Sequence, residues 1–231
     1  MSVRRPRLSL LVFDLIVLAA LGFHATAFAQ DSSSTGSSRP RASQKARSAT
    51  FSIETGSVSS GVYRNASLGL TCKIPSAWVL RTEEMNAPPA AEQNDVVASP
   101  SANSRVLLAA FSRPPEARAE DVNASILIAA ESAADYPGLK EPAQYFGPVI
   151  EAAKAQGLEI DDDPYQVPIG AKKLVRGDFQ KDVGTRVLRQ STLVMLARGY
   201  VVSFTFIGGT EDEVEELIAG LTFGVPASKP R

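Results

Sequence analysis

Histidine and cysteine are nearly absent from this chain, which has one of each among 231 residues. Histidine is the commonest general base and metal ligand, and every Ser-His or Cys-His nucleophile arrangement requires it. The lone histidine, His24, lies in an N-terminal segment that we expect to be removed. A lone cysteine forms no internal disulfide, and because Cys72 alternates with apolar Leu70 and Ile74, we expect a buried core residue rather than a reactive thiol. Histidine-dependent nucleophile chemistry is therefore excluded for the folded part.

Sequence motifs for nucleotide, phosphate and nucleophile chemistry are also absent. The chain has no P-loop, no G-x-G-x-x-G, no G-x-S-x-G, no S-x-x-K and no C-x-x-C. With 24 basic and 25 acidic residues, the net charge is −1. Such a balance gives no electrostatic basis for binding nucleic acid or an anionic membrane surface. The sequence therefore predicts no cofactor, no metal and no nucleic-acid partner.

The N-terminus predicts export to the periplasm or the extracellular space. A basic start over 4–7, an apolar stretch over 8–22 and small residues at positions 27 and 29 together form a signal-peptide pattern over 1–29. Cleavage after residue 29 would leave a chain with no histidine and no stable membrane span. The alternative is an uncleaved anchor in the inner membrane. Asp14 disfavours it, since a charge near the centre of a spanning helix costs about 2.5–3.5 kcal/mol.

Composition divides the rest of the chain into three parts. Residues 30–61 are rich in serine and poor in apolar residues, so we expect a disordered linker, with Phe51-Ser52-Ile53 as an alternative short docking strand. Residues 62–224 have the length and apolar content of one domain with one core. Residues 225–231, which contain two prolines, are predicted to be a flexible tail.

The folded part is predicted to be α+β. The clearest strand pattern lies over 200–207, after Arg198-Gly199 as the hairpin turn. Apolar spacing predicts a helix over 142–156, in which Pro148 must either kink the helix or mark its first turn. The capping box that starts at Thr210 opens a second helix. Because strands outnumber helices, we expect a single domain with an antiparallel sheet of about six to eight strands covered by two main helices. Strands are expected at 62–64, 68–74, 78–80, 105–111, 121–130, 165–167, 172–180, 185–197 and 200–207.

Two local motifs and the order of elements resemble PsbP-like domains. The first motif is Tyr63-x-Asn65 and Leu68-Gly69-Leu70, leading to the corner Ile74-Pro75-Ser76-Ala77-Trp78; the second is the Arg198-Gly199-Tyr200 hairpin, followed by a strand and an acidic-capped helix. The group includes the extrinsic photosystem II protein, Ran-binding nuclear proteins and exported bacterial proteins of unknown function. The resemblance implies a binding or assembly module without known catalysis. Within the corner, we expect Trp78 to be a core anchor rather than a ligand platform.

Three places were candidates for chemistry. Asp161-Asp162-Asp163 could help to hold Ca²⁺, but it lacks the glycine and the later glutamate of a calcium loop, so a solvated turn is favoured. Gly208-Gly209-Thr210 precedes a helix, as at phosphate sites, but the acidic first turn would repel an anion, so a helix cap is favoured. The third candidate is a pair of carboxylates for glycoside hydrolysis, for which Glu83, Glu84, Asp178 and Asp182 are the available residues.

A basic cluster on two neighbouring late strands is the preferred candidate for a partner-binding face. If these strands pair, several of the side chains share one face and could bind an acidic partner or an anionic glycan. The alternative is that the charges protect a sheet edge from pairing with other chains. The long polar loop over 86–104 is a second candidate contact. The basic cluster consists of Lys172, Lys173, Arg176, Arg186 and Arg189, with Lys181 nearby.

These observations together predict an exported, non-enzymatic binding or assembly module of the cell envelope. Its partner is expected to be another envelope or extracellular protein. A histidine-free hydrolase that uses paired carboxylates on envelope or extracellular glycans is the alternative. A purely structural envelope protein without a discrete partner is a third hypothesis.

Overall fold

Two antiparallel sheets and three α-helices make up the computed structural model, which describes residues 53–87, 103–114, 117 and 121–224. The predicted signal peptide, the linker up to residue 52, most of the 86–104 loop and the tail lie outside the described residues. The described part confirms a single α+β domain. The larger sheet has eight strands, within the expected range, and the smaller sheet adds four that were not expected as a separate sheet. No helix within the described ranges is long and apolar enough to cross a membrane.

The smaller sheet has four strands in the order β1-β2-β3-β12. Its strands are β1 Ser57–Ser59, β2 Val62–Asn65, β3 Leu70–Lys73 and β12 Leu221–Phe223. The chain therefore returns to this sheet after the last helix, and β12 pairs with β3 through Leu221 opposite Cys72. This return brings the two ends of the domain together.

The larger sheet has eight strands in the order β4-β5-β6-β11-β10-β9-β7, with β8 also pairing with β9. Its strands are β4 Val79–Leu80, β5 Ser104–Phe111, β6 Ser125–Ser132, β7 Glu159–Ile160, β8 Tyr165–Ile169, β9 Lys172–Val183, β10 Arg186–Ala197 and β11 Tyr200–Gly208. The predicted turn between β10 and β11 is confirmed, because Arg198 and Gly199 have φ values of 54° and 81°.

The helices are α1 Thr82–Asn86, α2 Phe146–Ala155 and α3 Glu211–Ala219. Pro148 lies in the first turn of α2, after a 3₁₀ turn over Pro142–Tyr145, so it starts the helix rather than kinking it. The predicted Thr210 cap of α3 is confirmed, but the second hydrogen bond of a capping box is shifted by one residue, from Thr210 to Gly209. The Thr210 hydroxyl accepts from the Glu213 amide, and the Glu213 carboxylate accepts from the Gly209 amide at 2.8 Å.

The larger sheet has a core on each face. One face packs against the smaller sheet and α3 through residues such as Leu174, Leu193 and Phe204. The other face packs against α2 through residues such as Phe146. Cys72 is fully buried in the first core, and burial raises the pKa of its thiol to about 12, which confirms the predicted core role.

Two predicted boundaries are corrected. The domain begins before residue 62, because Ile53 is buried and β1 pairs with β2, so residues 53–61 belong to the fold rather than to a linker. The strand predicted over 121–130 begins only at Ser125. The preceding Asn123 lies in a loop, where its side-chain oxygen accepts a hydrogen bond from the Ser112 hydroxyl at 2.9 Å.

The two sheets meet along two seams that differ in packing. At one seam the β8–β9 turn lies against β12, so that a Cβ at Gly170 would stand 3.1 Å from the Phe223 carbonyl oxygen. At the other seam β1 and β4 are edge strands, each paired in the described structure with a single neighbour. Val58 of β1 and Leu80 of β4 line the same hollows between them. This second seam is open in the described part of the chain, where no strand bridges β1 and β4.

Candidate functional site

The predicted basic cluster is spread along β9 and β10. Lys172 and Lys173 are exposed beside the turn between β8 and β9, whereas Arg186 pairs with Val183 at the far end of the same ladder. Eleven residues of strand separate these positions, which is roughly 36 Å at the usual rise. Alternation also directs Lys173 to the α2 face, with Val175, and Arg176 to the α3 face, with Leu174. The fold therefore does not gather these residues into one patch.

Arg176 is the centre of an ion-pair network under α3. Its guanidinium contacts the Asp178 carboxylate at 2.8 Å and the Glu215 carboxylate at 2.5 Å, and it donates to the Ser191 hydroxyl at 3.1 Å. Asp178 also accepts from Ser191 and from the Tyr165 hydroxyl, the latter at 2.9 Å. Only 13% of the Arg176 side chain is exposed. The network joins β8, β9, β10 and α3, and its main role is therefore structural.

The remaining basic residues of the prediction also have acidic or polar neighbours. Arg186 contacts Asp121 at 2.7 Å, and Arg189 donates to Gln180 at 3.5 Å. Lys181, predicted to lie nearby, is on the α2 face and donates to the Gln156 carbonyl oxygen at 2.5 Å. Lys172 and Lys173 remain the exposed pair at the hairpin turn.

Carboxylates from three elements line a cleft of about 290 Å³ beside the Arg176 network. Asp161, Asp178 and Glu211 are among them. Burial raises the pKa of the Asp161 carboxyl, opposed by Arg189 and reinforced by Asp178 and Asp162. Across the described ranges, no three acidic or sulfur side chains are arranged to hold a metal ion. Of the other predicted carboxylates, Glu83 and Glu84 lie on α1 and Asp182 is exposed on β9.

A buried carboxyl group that the sequence did not reveal lies at the end of β6. Glu131 is 4% exposed and accepts hydrogen bonds from the hydroxyl groups of Tyr136 and Tyr145, the latter at 3.2 Å. The two tyrosine rings meet edge to face with centroids 5.1 Å apart. Burial raises the pKa of Glu131, and the hydrogen bonds from the tyrosines oppose this only in part.

The open seam between the sheets is lined by exposed apolar side chains. Two hollows, of about 520 and 590 Å³, adjoin there and share Val58 and Leu80 in their walls. We call the two together the seam groove. Val58 and Leu80 are 38% and 47% exposed, and they are two of the three exposed large apolar side chains in the described residues. Clustering of this kind is typical of interaction sites, whereas single exposed apolar residues are common.

One of the two hollows of the seam groove is lined by the predicted proline–tryptophan corner. Trp78 is partly buried, packs against the first core and also lines the groove. Ala77 has a left-handed φ of 65°, which is strained for a residue other than glycine. The sequence does not predict the groove, because β1 lies in the segment predicted to be a linker. The proximity of two edge strands from different sheets also leaves no local pattern in the sequence.

Comparison with known proteins gives only distant similarity. No family model matches the chain, and no curated protein matches it. Among solved structures, the Ran-binding protein Mog1p from Saccharomyces cerevisiae is 10% identical, with 67% of this chain and 90% of that chain covered and a TM-score of 0.38. LpqN from Mycobacterium tuberculosis, described as involved in cell envelope biogenesis, is 15% identical, with coverages of 66% and 82% and a TM-score of 0.33. A protein of unknown function from Pseudomonas aeruginosa is 20% identical, with coverages of 44% and 68% and a TM-score of 0.32. Membership of the PsbP-like group stays a prediction.

Proposed function

We propose that this protein is an exported, non-enzymatic binding module of the cell envelope that holds another envelope or extracellular protein at the seam groove. The observation that carries the proposal is the groove itself. Two exposed apolar side chains, Val58 and Leu80, stand together at the open edges of both sheets. Exposed apolar surface concentrated in one concave place is favourable for a protein partner because the partner removes it from water.

Two of the carboxylates that line the cleft beside the Arg176 network are already hydrogen bonded, which supports binding over catalysis. Asp178 already accepts from Arg176, Ser191 and Tyr165, and Glu215 is paired with the same guanidinium. A general base or nucleophile needs an oxygen free to meet the substrate. The folded part also has no histidine to replace these groups.

A hydrolase remains the second candidate because of Asp161. Its carboxyl pKa is raised in a cleft that also contains other carboxylates, as a general acid requires. This hypothesis predicts that the purified protein releases reducing ends from envelope glycans and that Asp161→Asn abolishes the release, whereas Asp182→Asn does not. A wild-type protein without such activity removes the hypothesis.

The binding function is tested by capture from an envelope extract with the full-length tagged chain and three variants. We expect the wild-type protein and Gln166→Asp, which places the same charge on the exposed edge strand β8, to retain the same partner. Leu80→Asp should lose it, since a charge in the groove must be desolvated on binding. Retention by Leu80→Asp together with loss by a Lys172→Ala/Lys173→Ala variant would instead support the basic-cluster hypothesis.

A further inference from the structure

We propose that the occupant of the seam groove is an extended segment of the partner, which lies between β1 and β4 and adds to the sheet edges as a strand. This inference rests on the proposed binding function and specifies its chemistry. The backbone groups of Val58 and Leu80 form the hydrogen bonds, and their side chains contribute apolar contact. Addition of a strand to an open edge is a common mode of peptide recognition.

The first argument is the direction of the Val58 backbone. β1 and β2 are joined by a two-residue turn, Ser60-Gly61, with φ values of 50° and 70°, and Ser59 pairs with Val62 across it. In such a hairpin the residues flanking the turn exchange backbone hydrogen bonds and the next pair exchanges none. That next pair is Val58 and Tyr63. The Val58 amide and carbonyl therefore point outward from the sheet, into the open seam.

The second argument is that Leu80 has the same arrangement on the facing edge. The Arg81 amide donates to the Ala109 carbonyl oxygen at 2.9 Å and therefore points toward β5, while the Ala109 amide donates to the Thr82 hydroxyl. Leu80, opposite Ala110, then belongs to the non-bonded pair, and its amide and carbonyl point away from β5. Each edge thus presents outward backbone groups at the residue whose apolar side chain is exposed.

The third argument comes from the contrast with the other edge of the larger sheet. There β8 contains Pro168, which has no amide hydrogen to donate, and it pairs with the start of β9, where Lys172 and Lys173 are exposed. Proline and lysine are the usual protection of an edge strand against pairing with another chain. Neither proline nor lysine occurs within β1 or β4. The edge with proline and lysine is therefore the one at the first seam, where the β8–β9 turn packs against β12.

The composition of the groove indicates the sequence of the occupant. Side chains that alternate along a strand would place every second residue against Val58 and Leu80, so these residues should be apolar. Lys73 is exposed at one end of the groove and Glu83 at the other. An acidic residue near Lys73 and a basic residue near Glu83 would complement these charges and fix the direction of the segment.

The test uses peptides selected from a phage library of random segments of about twelve residues, enough for one strand with flanks. Phage are selected on the full chain after removal of those that bind Leu80→Asp. The best peptide is synthesised, and its affinity is measured by fluorescence anisotropy for the wild-type protein, Val58→Asp, Leu80→Asp and the control Gln166→Asp. We expect roughly tenfold or greater weakening for the two groove variants and no change for the control.

Two further readouts identify strand addition. Hydrogen exchange at the Val58 and Leu80 amides should slow at least tenfold on peptide binding, because these amides become hydrogen bonded. Methylation of a peptide amide should weaken binding wherever that amide bonds to β1 or to β4, and methylation outside the bonded segment should have no effect. A peptide that binds in the groove without protecting either amide would overturn strand addition and leave the proposed function intact. Selection that yields no groove-dependent peptide, or self-association of the chain through the groove, would also overturn it.

Discussion

Glu131 couples the stability of this domain to pH. Its carboxyl group is buried at the end of β6, where the hydroxyl groups of Tyr136 and Tyr145 donate to it, while Asp135 lies close enough to repel its charge. Because burial dominates, the pKa in the folded state is above that in the unfolded chain. The native state therefore holds this proton more tightly than the unfolded state.

The consequence is a stability loss as the pH rises. At pH values between the pKa of Glu131 in the unfolded chain and its higher pKa in the folded state, the unfolded chain has lost this proton and the folded state still holds it. Raising the pH through this range therefore favours unfolding. Glu131→Gln, which is close in shape to the protonated acid, removes this loss. We expect the variant to gain stability relative to wild type as the pH increases from about 4 to about 8, as measured by urea unfolding. A difference that is independent of pH, or that shrinks over this range, would contradict the assignment.

Single-residue roles were predictable from sequence only where the pattern is local. Alternation with Leu70 and Ile74 was sufficient to place Cys72 in the core. Sequence spacing was not sufficient to predict the role of Arg176, because its partner Glu215 lies in α3, far along the chain. The role of Glu131 was hidden for a different reason, because a charged residue at a strand end is usually exposed.

At the level of elements, turns and caps were the most predictable features. The Arg198-Gly199 turn and the Thr210 cap each depend on a few adjacent residues with specific backbone or side-chain requirements. Short strands without such signals were missed, and β1 and β12 have only three residues each. Ala77 is an exception of another kind, since its left-handed conformation is imposed by the corner that leads into Trp78.

The strain at Ala77 predicts a stabilising substitution. A left-handed conformation costs a non-glycine residue about 1–2 kcal/mol, and the entropy of an added glycine takes back about 0.4–1 kcal/mol. We expect Ala77→Gly to raise the free energy of unfolding by about 0.5–1 kcal/mol in urea titrations. Ala155→Gly, at the exposed end of α2, is the matched control and should be destabilising, since its backbone is helical. Loss of stability in both variants would argue against strain at Ala77.

At the scale of the whole molecule, the class of fold was predictable and the arrangement of the two sheets was not. Strand patterns and two amphipathic helices were sufficient for an α+β domain. β12 returns to pair with β3 at one edge of the smaller sheet, and β1 at its other edge lies near β4 of the larger sheet. That juxtaposition depends on long-range pairing, and the seam groove exists only because of it.

The central claim is that the seam groove holds a partner, and site-specific photo-crosslinking in living cells tests it most directly. A photoreactive amino acid is placed at Leu80 or, as a control, at Gln166 on the far edge of the same sheet. We predict one discrete adduct from Leu80, its loss when Val58→Asp is added, and no adduct from Gln166. Absence of an adduct at Leu80, or an adduct at Leu80 that persists with Val58→Asp, would contradict the account.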